Sequence, residues 1–101
     1  MEQCERIRRH EAALDRVAPV LKELESALDR FDAVQDDVLA LSSYYGSEEW
    51  KEDYEADEAG RLPGDLKRGV LSEDGIYDVL DGHYRLTVRL LDTVSSILKN
   101  R

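Results

Sequence analysis

Between residues 49 and 68 the chain sets acids, bases and aromatics at spacings that bring them to one place. Trp50, Asp53, Tyr54 and Asp57 recur at i, i+3, i+4 and i+7, the spacing of a single helix stripe. Two aromatics and two carboxylates therefore share a face, and carboxylates turned inward are unfavourable unless they meet partners. Residues 46–60 hold seven acids and one lysine, and Arg61, Lys67 and Arg68 follow directly. Two chemistries compete for this cluster. In one, the basic loop folds back over the acidic helix and pairs Asp53 and Asp57 with Lys67 or Arg68. In the other, Asp53, Asp57 and Glu58, with Glu49 nearby, ligate a hard cation such as magnesium while Lys67 or Arg68 faces a phosphate. That second arrangement would make the chain a metal-dependent hydrolase of phosphate compounds. Its spacing matches no EF-hand or histidine–carboxylate motif, and neighbouring cations satisfy the carboxylates without a metal. The ion-pair reading is preferred, and no cofactor is expected. No nucleophile stands with its base: Cys4 has no histidine beside it, and Ser72 is better explained as a helix cap. The balance falls against an enzyme.

The elements that must position this cluster are helical. Ile7, Leu14, Leu21 and Leu28 repeat at seven residues, as do His10, Val17, Leu24, Phe31, Val38 and Tyr45. Together they form an a/d seam through a long helix over 2–45. Ala13, Val20, Ala27, Val34 and Leu41 precede the a positions and make the stripe wider than a two-stranded coiled-coil seam, suited to more than one neighbour. Gln35 and Ser42 make the seam more polar towards the centre of the chain. Pro19, on the outer face, predicts a kink or short break near Val17 to Pro19. Gly46 ends this helix, Ser47 caps the next, and Glu48 and Glu49 suit its first turn. That acidic helix runs to about Ala59 with Gly60 as its stop. Leu62-Pro63-Gly64-Asp65 reads as a turn, and Asp65 to Arg68 as a single helical turn closed by Gly69. Ser72 then caps a returning helix over 72–99, with Glu73 and Asp74 in its first turn and Leu71 stapled against Ile76. Ile76, Val79, Leu80, His83, Leu86, Leu90, Val94 and Ile97 form its apolar face. Gly75 and Gly82 weaken it, and Asp81-Gly82 is a place where it can bend, although the apolar phase continues past it. Trp50 is expected to be largely buried against Tyr54 and this helix.

The 101 residues form one domain, all-α: a long N-terminal heptad helix, a short acidic helix with an ordered loop over 46–71, and a returning helix packed antiparallel on the first. The net charge of -9 disfavours nucleic acid and anionic membranes as partners. With no membrane-length apolar run, no secretory signal and one cysteine, a reducing cytoplasm is expected. At 1.5 Å per residue the first helix would span about 66 Å and the returning helix about 42 Å. A hairpin of the two ends near Arg16 and leaves Ile7, His10 and Leu14 uncovered, so a homodimer is expected.

The order YYGS, Trp50, Asp53, Asp57-Glu58, Gly60, Leu62-Pro63 and DLKRGVLSED with Tyr77 resembles the small bacterial proteins grouped as domain of unknown function family 4298. The resemblance covers nearly the whole chain and is most specific from Asp65 to Asp74. It supports the boundaries above and implies no mechanism. The expected role is a cytosolic interaction or assembly module that binds an unidentified protein partner. Its candidate surface is Tyr44, Tyr45, Trp50, Asp53, Asp57, Lys67, Arg68, Ser72, Glu73 and Asp74.

Overall fold

Helices and turns account for the ordered backbone of the computed structural model, which describes residues 1–101 and contains no strand. The chain divides into two units, Met1–Asp36 and Asp37–Arg101. The first is essentially one helix, α1 (Glu2–Ala33), which runs without interruption through Pro19. Of the kink or short break expected near Pro19, the break is absent, and the helix is interrupted instead at Val34. Pro19 is exposed, so the Asp15 carbonyl it deprives of a donor stays open to water. At Val34 (φ -102, ψ 5) the backbone leaves helical geometry, and its N–H turns to the Phe31 carbonyl at 3.3 Å. The Gln35 side-chain amide donates to the same carbonyl at 2.9 Å. Asp36 and Asp37 then occupy the first turn of α2 (Gln35–Tyr44), where the helix dipole favours acids, whereas Asp32 sits at the unfavourable end of α1. The single helix expected over 2–45 is therefore two.

Along α1 no residue is buried. From Ile7 to Leu28 its aliphatic seam residues are exposed, from 37 % at Leu28 to 60 % at Leu21, and Phe31 at the end of the seam is half-buried.

The second unit is built around one corner. Gly46 takes the left-handed conformation (φ 81) that stops α2, and Ser47 caps α3 (Glu48–Glu58) by accepting the Trp50 N–H at 3.1 Å. Gly60 (φ 70) stops α3 in a Schellman motif: its N–H reaches Asp57 and that of Arg61 reaches Ala56. The turn that follows begins one residue later than expected, with Leu66 N–H on the Pro63 carbonyl at 3.2 Å. The single helical turn expected over Asp65 to Arg68 forms instead as a 3-10 turn at Gly69–Leu71. It forms there because the anchors of this segment, Arg68 and the Val70 carbonyl, lie at its end.

Ser72 caps the next element, accepting Gly75 N–H at 3.0 Å. This first stretch is a π-helical turn, Glu73–Tyr77, which passes into α4 (Asp78–Lys99). Gly75 explains the departure from an α-helix that begins at Ser72. A side chain there would fall on the Gly69 carbonyl, so the two backbones meet where only hydrogen fits. Leu71 and Ile76, the N′ and N4 positions of the expected staple, are the buried core, with 6 % and 0 % exposure. α4 continues through Gly82, which has open space around it. On the apolar face of α4, Leu80, His83 and Leu90 are half-buried, while Val79, Leu86, Val94 and Ile97 are exposed.

Candidate functional site

The corner between α2, α3 and the 3-10 turn collects most of the residues that the sequence marks for chemistry. Ser47 sets the direction of α3, which brings Asp53 beneath the end of α2. There the Tyr44 hydroxyl donates to Asp53 Oδ2 at 2.6 Å. The bond holds the proton on the phenol. With partial burial and the charges of Asp53 and Glu49, it pushes the Tyr44 pKa up to about 12. The partner of Asp53 is thus a tyrosine, not Lys67 or Arg68. The reason is reach: Tyr44 ends α2 directly over the α3 stripe, whereas the basic loop arrives one turn further along.

Asp57, on that next turn, meets the loop. Arg68 Nη1 lies 3.0 Å from Asp57 Oδ1, with both side chains about two-thirds buried. Lys67 is exposed and makes no ion pair. It lines a cavity of about 230 Å³ together with Tyr44, Asp53 and Leu66.

Trp50 has most of its surface covered and a rim left open. Its ring stacks on Tyr54 at 5.3 Å and meets the edge of Tyr45 at 5.1 Å, and Tyr45 continues to Tyr77 at 6.4 Å. The indole N–H donates to the Val70 carbonyl at 2.9 Å, which ties the ring to the 3-10 turn. The polar edge of the ring holds the loop, which leaves part of its apolar surface at the rim of a second cavity, of about 410 Å³, shared with Tyr54, Glu58 and Glu73. Glu73 and Asp74 follow the Ser72 cap in the π turn. The Ser72 hydroxyl donates to the Gly69 carbonyl at 3.0 Å, which leaves it a structural part.

No three acids, histidines or cysteines converge as metal ligands. Asp53 and Asp57 face different partners, and Glu58 is exposed. Chemically the corner is a set of latches: a phenol on a carboxylate, a guanidinium on a carboxylate, an indole on a carbonyl. Sequence reasoning missed the Tyr44–Asp53 bond and the Gly69–Gly75 approach. The signal for the second was present in two glycines flanking a cap serine.

The family model described as Domain of unknown function (DUF4298) matches residues 7–93. The chain belongs to this family. The DUF4298 match takes in α1 from Ile7, the whole corner and most of α4. No curated protein and no solved structure matches the chain. No helix is long and apolar enough to cross a membrane.

Proposed function

We propose that this DUF4298 chain is a protein-interaction and assembly module of the cytoplasm that associates with a second copy of itself through α1. One observation carries the reading: a helix of 32 residues with a heptad seam and no buried residue. Ile7, Leu14, Val17, Leu21 and Leu24 lie along one face, each about half exposed. An isolated helix of this length owes its persistence in water mainly to packing of its apolar face, and a regular a/d repeat is the form that another such helix covers. The corner fits the same role from the other unit, because its polar groups engage one another and fix the path of the backbone between α3 and α4.

Light scattering after size exclusion tests the reading at micromolar concentration. Twice the 11.6 kDa chain mass is expected, with Leu14→Glu and Leu21→Glu together returning the single-chain mass. A single-chain mass in the unaltered protein overturns it.

A further inference from the structure

We infer that two copies of α1 pair side by side, parallel and in register, as a two-stranded coiled coil. This inference rests on the self-association proposed above and adds its geometry, which comes from the residues flanking the seam. With Ile7, Leu14, Leu21 and Leu28 at a, the e positions are Glu11, Ala18, Glu25 and Asp32 and the g positions Arg6, Ala13, Val20 and Ala27. In a parallel pair each g position faces the e′ position five residues on. Arg6 then meets Glu11 of the second copy, and the symmetry makes this contact twice. The other g–e′ pairs are Ala13 with Ala18, Val20 with Glu25 and Ala27 with Asp32, so no like charges meet.

An antiparallel pair sets e against e′ instead. Glu11 then faces Glu25 or Asp32 of the second copy, twice over, and like charges destabilise the contact. The seam agrees with the charges. His10, its one polar member between Ile7 and Leu28, meets its own copy in a parallel pair. In an antiparallel pair it is set against leucine at the far end. A polar layer that matches only in register is a known means of fixing alignment in coiled coils.

Cys4 is the chain's one cysteine and is exposed, which gives a single position for a spin label. In the full-length protein the parallel pair places two labels at the same end, within about 30 Å, an interaxial spacing of about 10 Å plus two label tethers. An antiparallel pair centred on the seam separates them by about 40 Å, at 1.5 Å per residue. Charge exchange supplies a second arm. Arg6→Glu weakens the dimer several-fold, and adding Glu11→Arg restores it. A dimer with the short distance and the restored affinity supports the inference. A dimer with the long distance, or a mass above two chains, overturns it while self-association stands. A monomer overturns both.

Discussion

Gly75→Ala is the substitution on which the structure makes its sharpest demand. By helix propensity alone, alanine in a helical run gains up to ~1 kcal/mol over glycine. The geometry opposes this, because the new methyl would occupy the place of the Gly69 carbonyl. That carbonyl accepts two bonds from Ser72, from its N–H at 3.2 Å and its hydroxyl at 3.0 Å. Moving it aside forfeits about 1 kcal/mol for each bond. Crowding beside a packed core adds about 1–3 kcal/mol. The wholly buried Ile76 is the next residue, so the strain reaches the core directly. The net expectation is a loss of about 2–4 kcal/mol, on the order of 10 °C or more in a domain of this size. Gly82→Ala is the internal control: its methyl would meet open space inside α4, so a gain of up to ~1 kcal/mol is expected. Urea unfolding followed by the single tryptophan reports this unit, with both variants measured at one protein concentration. A Gly75→Ala midpoint equal to or above that of the unaltered protein would refute the reading of the π turn as a backbone close approach.

Three residues of the corner, Tyr44, Trp50 and Arg68, carry the further tests. Tyr44→Phe leaves Asp53 without its hydroxyl donor and is expected to lower stability by about 1–2 kcal/mol in denaturant titrations. Because folding raises the Tyr44 pKa to about 12, its stabilising effect is complete below the usual tyrosine value of 10.0. It is lost as pH rises through the folded value, and ultraviolet titration should show one phenol ionising last. Trp50→Phe keeps the ring stack but loses the indole bond to Val70, so a loss of about 1 kcal/mol is expected from thermal unfolding, less than for Trp50→Ala. Arg68→Glu sets like charges beside Asp57 and lowers the melting temperature, whereas millimolar magnesium leaves that of the unaltered protein unchanged. A magnesium-dependent rise abolished by Asp57→Asn would overturn the latch reading of these acids.

What was legible in the sequence is what one or two residues encode by themselves. Gly46 and Gly60 stop their helices because glycine accepts positive φ, and Ser47 and Ser72 cap because a hydroxyl reaches the orphan N–H groups. The Arg68–Asp57 pair could be anticipated from charge segregation alone. The break at Val34 was hidden because no glycine or proline marks it. It arises from a glutamine at a seam position and from aspartates better placed in a new first turn than in the middle of an old helix. Of the two outcomes that Pro19 allows, the short break does not occur: one lost hydrogen bond on a wet face is not enough to end a helix of 32 residues. The Tyr44–Asp53 bond spans nine residues across a corner whose angle depends on Gly46 and Ser47 together, so no periodicity points to it.

The run from Asp65 to Asp74 is the most distinctive stretch of the chain, and a distinctive polar run invites a search for an active site. Its engaged groups nevertheless turn inward. Arg68 holds Asp57, the Val70 carbonyl takes the indole, and Ser72 bonds Gly69 and Gly75 while Leu71 closes the core. Each of these contacts fixes the path of backbone between α3 and α4. A stretch whose serine is both donor and acceptor, and which is followed by a glycine, Gly75, with no room for a methyl, is specified by its own folding, whatever the chain binds. The proposed interaction role then draws on surface that folding leaves uncommitted. In this chain the longest such surface is the seam of α1, where apolar residues recur at seven with nothing buried beneath them.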